Sequence, residues 1–220
     1  MPFPSTPSPN RRRLLAALAA LTVPAPLPTL ARGRAGVVTI LGDSITAGYG
    51  LRAADALPAQ LQAALARLGV DAVVRGAGVS GDTTAGGLAR IDFSVQADTD
   101  VCVVALGGND LLQGLDPHTT HENLRRILKQ LKTRRIGAVL CGLKAPAGLN
   151  AGFAREFNAA FPALARAEGA AFYPNLLAGV AQTAGLNQAD GLHPNPTGVK
   201  IIVRGLAPVV AKALRARKRG

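Results

Sequence analysis

Two short, widely separated runs hold the residues best suited to chemistry: Gly42-Asp43-Ser44 and Asp190-Gly191-Leu192-His193-Pro194. A serine hydroxyl is a poor nucleophile at neutral pH unless a neighbouring imidazole accepts its proton. A carboxylate that fixes the tautomer of that imidazole and stabilises its protonated form makes it a better base. The chain has only three histidines, so His193, three residues after Asp190 in a Gly/Pro-bearing loop, stands out as the base for Ser44. A tight turn brings Asp190 onto the ring nitrogen that faces away from the serine. The chemistry of such a set is acyl transfer through an activated serine.

Other reactive-looking segments have competing uses. Asn109 in Gly107-Gly108-Asn109-Asp110 can donate its amide to a developing negative charge, or hold its own turn. Gly76-Ala77-Gly78-Val79-Ser80-Gly81 fits the Gly-x-Gly-x-x-Gly pattern of dinucleotide sites, with Asp98 or Asp100 further on. Asp82 directly after it sets a carboxylate against an incoming pyrophosphate, which argues against nucleotide binding. Its other use is a close backbone approach at Gly78 to a reacting carbonyl. Asp43, Asn109, Asp110 and His193 also suit a hydrolytic metal, yet no His-x-x-x-His or paired-Cys spacing accompanies them, so no metal and no organic cofactor is expected. The Gly-x-Ser-x-Gly nucleophile elbow is absent. His118 and His121 read as surface residues of a basic helix.

The elements that must position these residues follow from periodicity. Buried-type strands are expected at Val37–Leu41, Asp71–Arg75, Asp100–Leu106, Ala138–Leu143 and Ala170–Tyr173. Between them lie helical patterns: one from Pro58 to a stop at Gly69, one over Thr83–Ile91, and one opened by a Thr119/Glu122 capping box. A further helix carries Phe153, Phe157 and Leu164 with a kink at Pro162, and a last, long one opens at Asn195-Pro196. Strand alternating with helix five times implies an α/β domain, a parallel sheet sandwiched between helical layers. Ligands of such sheets bind beyond the carboxyl ends of the strands, and every polar, glycine-bearing segment falls on that edge.

Composition limits the remaining choices. The chain is 220 residues, 48% hydrophobic, without Trp and with 4% aromatic residues, so one core of Ala, Val, Leu and Ile is expected. Net charge is +12. The charges are scattered and lack interleaved aromatics, so no nucleic acid is expected, while contact with an anionic membrane surface fits. Arg11-Arg12-Arg13, the apolar run Leu14–Val23 and Thr29-Leu30-Ala31 read as an export signal over residues 1–31, with a twin-arginine-like start. Residues 32–220 then form a single domain with a basic C-terminal tail, exported to the periplasm or secreted from a bacterium, and expected to be monomeric. Cys102 and Cys141, each inside an apolar strand, read as free buried thiols.

Four spaced blocks resemble the SGNH (GDSL-type) hydrolases: Gly42-Asp43-Ser44-Ile45-Thr46-Ala47-Gly48-Tyr49-Gly50, Gly78 within Gly-Val-Ser-Gly-Asp-Thr-Thr, Gly107-Gly108-Asn109-Asp110, and Asp190-Gly191-Leu192-His193-Pro194-Asn195. The likeness covers roughly residues 37 to 212 and is greatest to periplasmic acyl hydrolases of the thioesterase I, lysophospholipase L1 and arylesterase kind. It implies a three-layer, flavodoxin-like α/β/α fold of about five parallel strands, and a serine hydrolase acting on small-molecule or lipid acyl esters and thioesters. By it Ser44 is the nucleophile, His193 the base and Asp190 its partner. The Ser44 N–H, Gly78 and Asn109 form the oxyanion hole. A carbohydrate acetylesterase of the same family, a metal-dependent phosphoesterase and a non-catalytic basic surface-binding module are the alternatives.

Overall fold

The computed structural model describes residues 34–146 and 148–217, together with residues 1 and 3. Apart from residues 1 and 3, the expected export signal over residues 1–31 therefore lies outside the described residues. The chain divides into units 1–33 and 34–220, and every element below belongs to the second.

Its elements run in the order β1 (Gly36–Gly42), α1 (Ser44–Ala47), a 3-10 turn (Ala53–Asp55), α2 (Leu57–Arg67), β2 (Ala72–Gly78), α3 (Thr84–Ser94), β3 (Val101–Ala105), α4 (Gly108–Leu112), α5 (Pro117–Thr133), β4 (Gly137–Cys141), α6 (Ala151–Glu168), β5 (Ala171–Tyr173) and α7 (Pro196–Arg217). All five strands are parallel, in the order β2-β1-β3-β4-β5. That is the flavodoxin-like order, whose ligand crevice opens where the winding reverses, between β1 and β3.

Strand alternation divides the core in two. Val38 and Ile40 of β1 and Val101 and Val103 of β3 pack against Leu61 of α2 and Val203 of α7. Leu41, Cys102 and Val104 point the other way, into a cluster with Ile91 of α3, Leu124 of α5 and Phe157 of α6. Period-2 side chains on buried strands thus feed two helical layers, which makes the three-layer sandwich. The two free thiols sit in this core, and burial pushes both upward, Cys102 to about 12.

Several boundaries differ from the sequence expectation. The basic helix starts at Pro117, not at a Thr119 cap. Asp116 accepts the His118 N–H at 3.1 Å, and the Thr119 hydroxyl donates to the same carboxylate. Asp-Pro already supplies a cap and a first-turn proline, so Thr119 falls inside the helix. Strand β2 runs three residues beyond Arg75, as far as Gly78, because its register with β1 continues to the Gly42–Gly78 pair. Helix α6 carries Pro162 in its interior, where the sequence reading places it, and ends at Glu168. Asn195 caps α7 as expected, accepting from Thr197 and Gly198.

Candidate active site

Ser44 is the first residue of α1, reached directly from the end of β1. The turn is tight enough to exclude a side chain at Gly42, where a Cβ would lie 2.1 Å from the Thr46 hydroxyl. Asp43 caps α1 by accepting the Ile45 N–H at 3.0 Å, which holds Ser44 at the carboxyl edge of the sheet. The Asp43 carboxyl is only 6% exposed. Burial raises its pKa from 3.8 to about 6, against the opposing pull of the Ile45 N–H and of His193.

The base comes from the loop before α7. Asn187 and Pro194 form an antiparallel bridge, and the Gln188 N–H donates to the His193 carbonyl at 2.8 Å. Within that loop Asp190 Oδ1 accepts the Leu192 and His193 N–H groups at 2.9 and 3.0 Å. Its other oxygen, Oδ2, lies 2.6 Å from His193 Nδ1. These bonds, the His193 N–H and ring first, draw the Asp190 carboxyl down to about 2. An ionised Asp190 can only accept, so it fixes the proton on Nδ1 and turns the Nε2 lone pair outward. Nε2 lies 2.9 Å from Ser44 Oγ, across 149 positions of sequence.

The remaining site residues are distributed less simply. Asn109, in the first turn of α4, lines the same cavity as Ser44 and His193. One of its amide hydrogens is committed to the Asp82 carbonyl at 2.8 Å, which fixes the orientation of the group. Gly78 does not reach the cavity. It ends β2 opposite Gly42 with its α-carbon pressed on α1, where a Cβ would sit 2.2 Å from the Ala47 nitrogen. Gly81, three residues on, does line the cavity beside Ser44 and Asn109, and its N–H finds no acceptor among the described residues. Asp110 turns away from the chemistry. Its buried carboxylate accepts the Thr84 N–H at 2.8 Å and the Thr84 and Thr120 hydroxyls, tying α4 to α3 and α5. Among the described residues, no group of three or more His, Cys, Asp or Glu side chains is placed to hold a metal ion. His118 and His121 lie on α5, outside the cavity.

Two contributors had no sequence signal. The Gln188 side chain spans from the base loop to the Tyr49 carbonyl at 2.8 Å. Arg90, on α3, reaches under both Gly42 and Asp82. The cavity itself, about 660 Å³, has a strongly apolar wall that includes Leu111, Leu143, Leu176 and Leu177, and a rim of exposed Leu112, Leu149 and Leu192. Lys144 is the one lysine or arginine lining it among the described residues.

A flavodoxin-like sheet with a serine, an imidazole and a carboxylate in hydrogen-bonded series at its switch point defines a hydrolase of the serine class. Residues 40–201 match the GDSL-like lipase/acylhydrolase family, and the chain belongs to that family as an ester hydrolase. Esterase TesA of Pseudomonas aeruginosa is 36% identical over 161 residues, covering 73% of this chain and 80% of the relative. Thioesterase 1/protease 1/lysophospholipase L1 of Escherichia coli K12 is 34% identical over 170 residues, covering 77% and 80%. The crystal structure of AlinE4, an SGNH-hydrolase family esterase, superposes with a TM-score of 0.69 at 44% identity, covering 83% of this chain and 98% of that one.

Proposed function

We propose that Ser44 is the nucleophile, His193 the general base and acid, and Asp190 its orienting carboxylate, in an enzyme that hydrolyses carboxylic esters and thioesters with apolar acyl groups. The observation that carries this reading is the unbroken series Asp190 Oδ2, His193 Nδ1, His193 Nε2, Ser44 Oγ, with separations of 2.6 and 2.9 Å, opening onto an apolar cavity. As Ser44 Oγ attacks the acyl carbonyl, its proton passes to Nε2 and the carbonyl oxygen becomes an oxyanion. The Ser44 N–H at the start of α1, the Gly81 N–H and the free hydrogen of the Asn109 amide are the donors assigned to it, Gly81 replacing Gly78 for its place on the cavity wall. His193 then gives the proton to the leaving alcohol or thiol, leaving an acyl-enzyme. A water, deprotonated by the same nitrogen, repeats the attack and releases the acid.

The leucine-lined wall and rim favour medium or long acyl chains over acetyl groups, because each buried methylene contributes about 0.8 kcal/mol. Lysophospholipids and acyl thioesters, the substrates in the names of relatives, fit this reading. The test is Ser44→Ala in a chain-length series of p-nitrophenyl esters, run beside a lysophospholipid and an acetylated xylan. The variant should lose turnover and fluorophosphonate labelling while keeping its melting temperature. Full turnover in the variant rejects the assignment, and wild-type activity confined to acetylated xylan rejects the acyl preference.

We further assign export to the periplasm, supported by the Arg11–Ala31 pattern. No described helix is long and apolar enough to cross a membrane. Contact with anionic lipid is assigned to the face shared by α2 and α7, which carry no Asp or Glu. Arg67, Lys200 and Arg204 ring a shallow cavity of about 450 Å³ there. Vesicles of phosphatidylcholine with added phosphatidylglycerol should bind the wild type and release a Lys200→Glu/Arg204→Glu variant. A charge-matched Arg126→Glu/Lys129→Glu variant on α5 should stay bound. Equal loss in both would reject a localised face.

A further inference from the structure

The Arg90 guanidinium is largely buried, 19% exposed, and its donors go to four different places. Nε donates to Asp82 Oδ2 at 2.7 Å. One terminal nitrogen donates to the Ala77 carbonyl at the end of β2 and to the Ser94 hydroxyl, at 2.9 and 3.0 Å. The other donates to the Gly42 carbonyl at the end of β1, at 2.8 Å. Gly42 O also accepts the Val79 N–H at 3.1 Å, and Val79 O accepts the Asp82 N–H, which closes the turn between β2 and α3.

Two of these contacts, Gly42 and Asp82, lie next to oxyanion donors. Ser44 follows Gly42 by two residues. Gly81 precedes Asp82 by one. The Asp82 carbonyl itself receives the Asn109 amide. The three donors come from three segments of the chain, after β1, after β2 and in α4. Without a shared anchor their mutual spacing depends on loops alone. An oxyanion hole works by preorganisation, with donors already aimed where charge develops. A planar guanidinium fork can hold several acceptors in fixed relative directions, which an ammonium cannot.

We propose that Arg90, through its ion pair with Asp82, is a positioning residue that sets the spacing of the Ser44, Gly81 and Asn109 donors for the transition state. This rests on the assignment of those donors made above. Arg90 does not line the cavity, so it acts through the backbone it holds.

The experiment compares Arg90→Met, Arg90→Lys and Asp82→Asn with the wild type on a p-nitrophenyl ester, measuring kcat, KM, melting temperature and inhibition by an alkyl boronic acid, whose tetrahedral adduct needs the hole. Arg90→Met should lower kcat about 10- to 100-fold, below the loss for deleting a donor outright, with KM within about twofold. Boronate affinity should fall in step with kcat. Arg90→Lys should recover only part of the loss, since it restores charge but not the fork. Asp82→Asn keeps the carbonyl that holds Asn109 and removes only the ion pair. It decides the matter if Arg90→Met is unfolded at the assay temperature, with a drop of about 3- to 10-fold expected. Arg75→Met, which breaks the exposed pair between Arg75 of β2 and Asp98, is the control and should leave kcat unchanged. Wild-type kcat and boronate affinity in folded Arg90→Met or Asp82→Asn overturns the proposal, as does a rise in KM at constant kcat. Activity surviving in Ser44→Ala instead overturns the underlying site assignment, so the two failures are distinguishable.

Discussion

The Tyr49 ring stands over the His193 imidazole, with the ring centroids 4.7 Å apart and the planes tilted by 37°. Tyr49 lies just past the left-handed Gly48 that ends α1, and its carbonyl receives the Gln188 side chain from the base loop. The segment that follows the serine therefore also holds the loop that carries the histidine. Tyr49 is about half exposed. Tyr49→Ala should lower kcat about 2- to 10-fold, the range set by one aromatic pair, whereas Tyr49→Phe should match the wild type. Ester hydrolysis at saturating substrate reads this directly, and equal rates for the alanine variant would dissociate Tyr49 from the base.

Gly78 and Gly81 should separate on substitution. An alanine Cβ at Gly78 meets the Ala47 nitrogen at 2.2 Å and the Asp43 carbonyl at 2.7 Å, so it must push α1, and Ser44 with it, off the sheet edge. Gly78→Ala is expected to destabilise by about 1–3 kcal/mol and to lose activity even where folded. At Gly81 a Cβ meets nothing, but φ is +82°. Gly81→Ala is then expected to cost only about 1 kcal/mol while disturbing the N–H assigned to the oxyanion. Thermal melts and kcat on both variants check the contrast. A Gly78→Ala protein as stable as the wild type would contradict the packing of α1 on β2.

Much of this arrangement is legible in the sequence because it depends on local chemistry. Continuous apolar runs such as Val101–Ala105 read as buried strands, and their alternation with amphipathic helices implies a parallel sheet between helical layers, while the flavodoxin-like arrangement followed only from the family resemblance. The Asp190–His193 pairing is readable because three residues span it. What escaped depends on geometry that the local pattern does not contain. In Gly76–Gly81 three glycines satisfy the same spacing, and only the continued pairing of β2 to Gly78 shows that Gly81 is the one left on the cavity wall. Arg90 resembles any arginine on an amphipathic helix, since its partners Gly42, Ala77 and Asp82 come from other segments. At Asp116-Pro117 two capping signals competed, and the earlier one prevailed.

The two carboxylates of the site should give opposite dependences of stability on pH. Asp190 has its folded pKa lowered to about 2, so its stabilising contribution is complete above the ordinary value near 3.8 and is lost as pH falls from about 4 to about 2. Asp43 has its folded pKa raised to about 6, so the folded state holds a proton that the unfolded state gives up. Its burial leaves stability untouched below about pH 4, weakens the fold progressively from pH 4 to pH 6, and has its full effect above that. For the buried Asp43 this amounts to about 3 kcal/mol. Asp43→Asn retains an oxygen for the Ile45 N–H but cannot ionise. Its stability relative to the wild type should therefore improve by about 2–3 kcal/mol between pH 4 and pH 7 and stay level beyond. Urea unfolding of both proteins at pH 4, 5, 6, 7 and 8 measures the difference directly. A difference that does not change across that range would mean that the Asp43 carboxyl is ionised throughout, with its burial offset by the Ile45 N–H and His193.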